Sequence, residues 1–491
     1  MTATLESPAA TVTTNGSDPA GARPVPGRWL GLFAILTATL LNLLDASIVN
    51  VALPVIQGDI GGSYASLQWI AASYTLALAA GLLTGGRLGD MFGRKRMLLI
   101  GAAGFVAASL LCALAFSPET LIAARVAQGL FGAIMIPQSF GLIRDLFPGP
   151  DQAKAWAVFG PAIGLATIIG PIVAGLLIKA DLFGTDWRMI FAINLPMGAF
   201  AMVAGAKALP SARGDRSGGL DVTGALIGAA GMSLLVYPLV QGREQGWPTW
   251  IWAILAASVA VLAVFVVHQL RRGAAGRTPL VQLGVFARRS YTSGVVFVIA
   301  FFIAIIGFSL ALGFLLQLGL HYSPIGASLA MASMAVGAFI GSAGGGMLAP
   351  ALGRRILHIG LGIMTAGMAG VYLVLRTVGV ELGGWHLAAP LLVFGIGMGM
   401  IFVPLFGIIM GEIADHEVGS ASGALESIQQ LAAALGVAVL GTVFFNRFTV
   451  PGEPAANALA GAEQVTLIAA GLALLSIVIG FFLPKQARVD H

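Results

Sequence analysis

The chain has 491 residues, of which 58% are hydrophobic and only 10% charged, and its mean hydropathy is +0.92. A soluble domain carries roughly 25% charged residues, so a water-soluble fold is excluded and an all-α integral membrane protein is expected. The net charge of +5 is accounted for by membrane orientation and gives no sign of a nucleic-acid partner.

Residues 1–27 are rich in Thr, Ala, Pro, Gly and Ser and read as a disordered tail. They do not form a cleavable signal peptide, because the first apolar run is full length, contains Asp45 and is followed by further runs. Apolar runs of about 20 residues are long enough to span a bilayer. Fourteen are expected, beginning near Trp29, Leu67, Met97, Thr120, Ala155, Arg188, Leu220, Trp250, Ser290, Ile325, Ile356, Trp385, Gly419 and Gln464. Lys and Arg accumulate in short cytoplasmic loops. With the N-terminus inside, twenty of the 26 basic residues fall on the inner side, and Lys179, Arg188, Arg243, Arg376 and Arg447 on the outer side. Arg125 falls within a span. Both termini are therefore expected in the cytoplasm of a multi-pass plasma membrane protein. Arg outnumbers Lys 21 to 5 beside heavy Ala and Gly use, which points to a GC-rich bacterial genome. The single cysteine, Cys112, sits in the third span and excludes an internal disulfide or a thiolate metal cluster.

Two loops repeat. "GRLGDMFGRK" (Gly86 to Lys95) and "GMLAPALGRR" (Gly346 to Arg355) share the pattern G-x-L-x-x-x-x-G-R-basic, 260 residues apart. The same shift carries the first span onto the ninth. The expected organisation is a six-helix half over 28–210, an additional two-helix linker over 219–271 and a second, pseudo-symmetric six-helix half over 289–484, with a short tail at 485–491. Duplicated halves in a polytopic protein place a substrate pathway between them. The middle pair has few polar residues and reads as structural or lipid-facing.

These residues resemble the major facilitator superfamily, and within it the fourteen-span drug:proton antiporters. "GRLGDMFGRKRML" resembles the family's loop signature between spans two and three. "LIAARVAQGLFGAIMIPQSFGLI" (Leu121 to Ile143) resembles the fourth-span signature with its buried arginine, here Arg125. "ATIIGPIVAG" (Ala166 to Gly175) is similar to the fifth-span exporter signature, carried by Gly170, Pro171 and Gly175, although Ala166 and Ala174 stand where glycine is usual. "LLDASIVNVALP", "WRMIFAINLPMG" and "GSASGALESIQQLAAALG" complete the likeness. The resemblance implies alternating access, a proton gradient as driving force and export as the direction of transport. It implies no cofactor.

Three charges lie well inside the hydrocarbon: Asp45, Arg125 and Glu426. Each costs at least about 2.5 kcal/mol there. Asp45 is placed some six residues and Arg125 some five from the outer ends of their spans, so the two share a depth. Burial favours the neutral form of a carboxylate and a nearby cation favours the charged form. A small rearrangement of Asp45 against Arg125 can therefore load or release a proton, with a static ion pair as the alternative. Glu426, where the family more often shows a neutral asparagine-like residue, is a second proton site, a contact for a cationic substrate, or a carboxylate bonded to Gln429 or Gln430. Asn42, Tyr74, Gln128, Gln138, Gln317 and Gln430 are candidates for lining a substrate cavity, with Phe131 and Phe140, against the alternative of interhelical bonding. Asn42 and Gln128 lie within a turn of the charged pair.

Gly86, Asp90, Gly93, Arg94 and Arg144 read as a conformational latch, in which Asp90 accepts from Arg94, Arg144 or a helix N-terminus. Pro350 replaces the aspartate in the second copy, which is expected to hold less firmly. Gly395 to Met400, "GIGMGM", lies in an apolar span without a preceding strand and is no dinucleotide site; the six histidines lack metal spacing. The expected function is proton-coupled export of hydrophobic drugs or antibiotics, cationic ones included, by a monomer in contact with membrane lipid, without metal or enzymatic chemistry. The alternatives are an importer or facilitator of a small polar solute and a transport-inactive sensor. The first needs a more polar cavity, and the second a larger soluble segment than the connection around Arg271 to Arg289.

Overall fold

The computed structural model describes residues 27–147, 151, 155, 158, 170, 172–181, 184–211, 214, 219–242, 244–410, 413 and 418–483. Among them are thirteen helices long and apolar enough to cross a membrane, and no strand. They are α1 Arg28–Ile60, α2 Tyr64–Phe92, α3 Arg94–Ala113, α4 Pro118–Leu146 and α5 Asp186–Ala208 in the first half; α6 Val222–Gln241 and α7 Thr249–Ala274 in the linker; and α8 Arg289–Phe314, α9 Pro324–Leu352, α10 Arg355–Val378, α11 Ala388–Ile409, α12 Val418–Phe448 and α13 Pro454–Gly480 in the second half. The expected fifth span, from Ala155, lies mostly outside the described residues, as do Pro171, both terminal tails and the Phe140 side chain.

Local chemistry sets the helix boundaries. Ser63 and Ser117 form capping boxes that satisfy the first amides of α2 and α4, and Pro118, Pro324 and Pro454 occupy first-turn positions where a missing N–H costs nothing. Gly93, at φ 91°, turns the chain from α2 into α3 in one residue, in a backbone region that L side chains rarely adopt. Two boundaries depart from expectation. α13 starts ten residues before Gln464, because the Ala-rich stretch from Pro454 is a good helix former beyond its most apolar part. α1 continues through Pro54 to Ile60, which places Asp45 fifteen residues from its end rather than six. The extra turns are held where Asp59 accepts from the Trp187 indole (2.9 Å) and the Arg188 guanidinium (2.6 Å).

The repeat is structural. Starts at Arg28, Tyr64 and Arg94 shifted by 260 residues fall within one residue of Arg289, Pro324 and Arg355. The α2–α4 seam and its counterpart α9–α11 both close on glycine, since membrane helices approach most tightly where side chains are smallest. A Cβ on Gly85 would stand 1.9 Å from the Ala133 carbonyl oxygen, and one on Gly341 2.0 Å from that of Ile396.

The latch is rebuilt by the structure. Arg94 crosses the face of α4 at Gly141, where a Cβ would meet its guanidinium at 2.5–2.6 Å, and reaches Asp145 at 3.4 Å. Asp90 pairs with Arg94 at 3.8 Å across an exposed i,i+4 spacing, and Asp145 adds the contact to α4. The neighbouring Arg144 is exposed and is not the interhelical partner. One helical position separates the two, and it turns Asp145 toward α3. A Cβ on Gly86 would stand 3.8 Å from the Pro137 side chain, in ordinary contact. Lys95 adds a second tether, donating at 2.8 Å to the carbonyls of Ala206 and Leu209, the negative end of the α5 dipole. In the second half Arg354 donates to the carbonyls of Phe481 and Leu483 (2.7 and 2.8 Å).

At the end opposite these arginines the two halves meet along α2 and α12. Tyr64 stacks on Phe445 (4.6 Å), and Gln68 donates to the carbonyls of Val437 and Ala438 (3.1 and 3.3 Å). The linker helices differ from each other. α7 exposes the apolar side chains of Trp252, Val259, Val264 and Leu270. α6 instead bridges the seam: Thr442 of α12 donates to the Leu239 carbonyl (3.0 Å), Glu244 just beyond α6 accepts from the Ala65 amide of α2 (2.9 Å), and Tyr237 meets Trp69 at 6.1 Å.

Candidate functional site

Five helices of the first half converge on one buried point. Asp45 of α1 and Arg125 of α4 form an ion pair through Oδ2 and a guanidinium nitrogen, with at most 1% of either side chain exposed. Gln128, three residues along α4 and so on the same face, connects the two ions. Its Oε1 accepts from Arg125 (2.7 Å), while Nε2 donates to Asp45 Oδ1 (2.7 Å) and to Ser109 Oγ of α3 (2.8 Å). Asn194 of α5 does the same from the other side, donating from Nδ2 to Asp45 Oδ1 and to Ser109 Oγ, both at 3.1 Å.

Arg125 is held independently of the carboxylate. Its Nε donates to the Ile70 carbonyl of α2 (3.3 Å), and its guanidinium lies 4.2 Å from the Tyr74 ring centroid and 5.9 Å from that of Phe191. The Tyr74 hydroxyl donates to Asn42 Oδ1, so α1 and α2 are joined beneath the cation. Asn42 Nδ2 is buried without a partner. Cys112 donates to Gln128 Oε1 at 3.6 Å, which makes it more than a packing residue. An isolated charge in such surroundings is very costly, and a buried pair is tolerated only when its remaining hydrogen-bonding capacity is met. Here Asp45 accepts from three donors, and Arg125 reaches two acceptors besides the carboxylate.

Of the expected site residues, Asp45, Arg125, Gln128, Tyr74 and Asn42 come together. Gln138 does not join them: buried, it donates to the carbonyls of Gly85 (2.9 Å) and Ile134 (2.8 Å) and binds α4 to α2. Phe131 lies against Gly104 of α3, whose Cβ would be 2.0 Å away, and packs helices rather than lining a cavity. Gln317 is buried in a π turn, Leu315–Gly319, that closes α8. Glu426 and Gln430 lie on α12 at the seam between the halves, both partly exposed, and the adjacent Ser427 donates to the Ala79 carbonyl of α2. Glu426 makes no hydrogen bond or ion pair among the described residues, and Gln429 Oε1 is buried without a partner. The bond between them allowed for in the sequence is absent among the described residues, although a spacing of three places both on one side of α12. Gly170 abuts α1, where a Cβ would stand 2.1 Å from Ser47 Oγ, and Gly175 abuts the start of α9, 2.6 Å from the Ile325 Cα. Both glycines serve close helix approach, while Pro171 is outside the described residues. Sequence reasoning missed Asn194 and Ser109. Asn194 carried a signal, an amide inside the apolar "IFAINLPMG"; Ser109 carried none.

The sequence profile described as the Major Facilitator Superfamily matches residues 35–437. The chain is 44% identical over 456 residues to a probable actinorhodin transporter of Streptomyces coelicolor, covering 92% of this chain and 78% of that protein. It is 34% identical to a puromycin resistance protein of Streptomyces alboniger, with 94% and 92% covered, and 31% identical to a tetracenomycin C resistance and export protein of Streptomyces glaucescens, with 85% and 76% covered. Among solved structures, a D-xylose–proton symporter superposes with a TM-score of 0.64 at 17% identity, covering 93% of this chain and 97% of that one. A peptide transporter bound to sulfate gives the same TM-score and identity, with 92% and 95% covered. These two are similar in fold.

Proposed function

The chain belongs to the Major Facilitator Superfamily, and from that membership we propose that it exports hydrophobic drugs or antibiotics, cationic ones included, in exchange for protons. It is a transporter of the plasma membrane, built of two six-helix halves and a central pair. The observation that carries the proposal is the buried Asp45–Arg125 pair, because an intramembrane carboxylate is costly and is retained where it serves transport. Relatives named for resistance to, or transport of, puromycin, tetracenomycin C and actinorhodin support an antibiotic as cargo.

In this mechanism Asp45 takes up a proton from the outer side. Neutralising it removes the attraction that ties α1 to α4, while Arg125 keeps Gln128, the Ile70 carbonyl and the Tyr74 ring. The loosened α1 rocks with its half about the α2–α12 seam, and release of the proton to the cytoplasm restores the pair. The arginine-rich end of the bundle is the cytoplasmic end by the distribution of basic residues, with both termini there. The contacts of Gln68, Tyr64 and Thr442 then make the described conformation closed on the outside. Glu426, on the seam and without a counter-ion among the described residues, is assigned to cationic cargo, which passes between the halves. Asn42 and Gln430 are assigned to the same cavity. The protein works as a monomer in contact with lipid and needs no cofactor beyond the proton gradient.

Energised inverted vesicles, loaded in turn with lipophilic cations and neutral antibiotics, test the proposal. Drug should accumulate in the vesicles while a proton gradient is present and leak away when an uncoupler is added. Accumulation that is unaffected by the uncoupler would refute proton coupling.

A further inference from the structure

The connection from α7 to α8 concentrates charge of one sign. Arg271, Arg272, Arg277, Arg288 and Arg289 lie in it, and the sequence has no acidic residue between Glu244 and Glu381. It sits at the arginine-rich end of the bundle, where the Arg289 guanidinium is 5.0 Å from the Phe482 ring centroid, beside the carbonyls that Arg354 holds. Retention of basic loops on one side of the membrane explains how many arginines there are, but not how they are placed. The chain folds back on the end of α7 to frame a cavity of about 560 Å³. Gln269, 1% exposed, builds its wall: Oε1 accepts from the Leu280 and Val281 amides (2.8 and 3.4 Å), while Nε2 donates to Asp221 (2.8 Å). Arg272 closes the turn by donating from Nε to the Thr278 carbonyl (2.9 Å), and lies 3.7 Å from Asp221, so its charge is spent within the protein. Arg277, which lines the cavity, and Arg271 beside it are exposed, and neither side chain makes a hydrogen bond or ion pair among the described residues.

Another wall of the cavity is apolar and runs on along α7. Leu270, Gly273 and Ala274 line it, and with Val266 and Val267 they share one face of the helix at three- and four-residue spacing, all of them exposed. A soluble anion gains nothing from that face, and hydrocarbon gains nothing from the arginines; a molecule with an anionic head and an apolar chain matches both. We propose that the cavity binds one anionic glycerophospholipid from the leaflet at this end of the bundle, its phosphate held by Arg277 and Arg271 and an acyl chain laid along Leu270, Val267 and Val266. A guanidinium presents paired N–H donors that match phosphate oxygens, and arginine can keep its head at the interface while its stem covers hydrocarbon. The volume falls within the roughly 300–1,000 Å³ of small-molecule sites. The inference concerns the linker alone and does not depend on Asp45 or on which ion drives transport.

Native mass spectrometry of the full chain in detergent, titrated with dioleoyl phosphatidylglycerol, tests the site. Wild type should hold a first such lipid more tightly than any further one, and more tightly than dioleoyl phosphatidylcholine, which has no net charge. Each arginine near an anionic lipid is worth about fivefold in affinity, so Arg271→Gln combined with Arg277→Gln should weaken the first binding step roughly 25-fold. Arg96→Gln, at another exposed arginine of the same end, should leave that step unchanged. Gly273→Phe keeps every arginine but puts a ring at the cavity; nothing lies within 4 Å of a Cβ there, so the fold is undisturbed and lipid binding alone should fall. Millimolar inorganic phosphate or glycerol 3-phosphate should not displace the lipid, because neither has a chain to lay on α7. An unweakened double variant, equal weakening in Arg96→Gln, or binding undiminished in Gly273→Phe overturns the site in favour of a general attraction to the basic end. Displacement by either soluble phosphate overturns the lipid as occupant, and phosphatidylcholine held as tightly as phosphatidylglycerol overturns the role of charge.

Discussion

Replacing Arg125 with methionine removes the cation and leaves a carboxylate sealed among α1, α3, α4 and α5. Breaking a buried pair by deleting one partner costs about 3–5 kcal/mol. The fold can escape part of this by protonating Asp45, and forcing a proton onto a carboxylate of ordinary affinity at neutral pH costs about 4 kcal/mol, or about 1.4 kcal/mol per pH unit. The two costs are comparable, so Arg125→Met should lose about 3–4 kcal/mol at pH 7 and recover about 1.4 kcal/mol for each unit of acidification. The sign follows from linkage: a carboxyl that binds its proton more tightly when folded than when unfolded contributes stability that fades as pH rises. Asp45→Asn together with Arg125→Met removes the orphaned charge and should be more stable at pH 7 than Arg125→Met alone, with no pH slope from this site. Thermal unfolding of the detergent-purified chain and both variants, at intervals between about pH 4.5 and 7.5, reads all three quantities. An Arg125→Met protein as stable as wild type at pH 7, or with a flat profile, would refute the reasoning, because the charge would then be solvated and not buried.

Glu426→Gln should reduce export of cationic drugs about tenfold while leaving neutral drugs unaffected, as read by accumulation of matched pairs in inverted vesicles. Thr442→Val removes the hydroxyl that bonds α12 to the Leu239 carbonyl of α6; at about 1 kcal/mol for such a bond, the outward-open population should rise roughly fivefold. Pulsed-EPR distances between labels on Phe116→Cys and Val450→Cys, in a Cys112→Ser background, report that population. Asp221 caps α6 and ties it to α7, accepting from the Gly224 amide (2.9 Å), His268 (2.9 Å) and Gln269 (2.8 Å), with Arg272 at 3.7 Å. Burial pushes its carboxyl up, but these bonds and the arginine charge outweigh that and hold it below the ordinary carboxylate range. A depressed carboxyl contributes stability above its unfolded value and loses it as pH falls through the folded one. Asp221→Asn keeps the cap but loses the charged acceptor and should therefore cost about 1.5–3 kcal/mol near neutrality, with the difference from wild type vanishing in strong acid, as read by unfolding of the two proteins side by side.

The fold was legible because hydropathy over about 20 residues is a strong signal, and the duplicated glycine-arginine loops fixed the register of the halves. The weak points were segments where helix outlasts apolarity. α1 beyond Pro54 and the first turns of α13 are helical without being lipid-like, and no span criterion finds them. The charged pair was legible for the opposite reason, since Asp45 and Arg125 stand out against oil. Amides were harder, because Gln128 and Gln138 occupy the same helix with similar spacing yet only Gln128 faces the carboxylate. Ser109 could not be found from sequence at all, because a serine in an apolar helix usually bonds its own backbone. Arg144 was expected in the latch and Asp145 was missed for a related reason: adjacent residues on a helix point about a hundred degrees apart, and choosing between them takes the neighbouring helix.

The central claim is that Asp45 carries the transported proton. The most direct measurement is the collapse of a preformed pH gradient in inverted vesicles on addition of an exported antibiotic, with wild-type protein and with Asp45→Asn at matched membrane levels. Collapse by wild type and a gradient left standing by the variant is the predicted result; equal collapse by a well-folded Asp45→Asn protein contradicts the account.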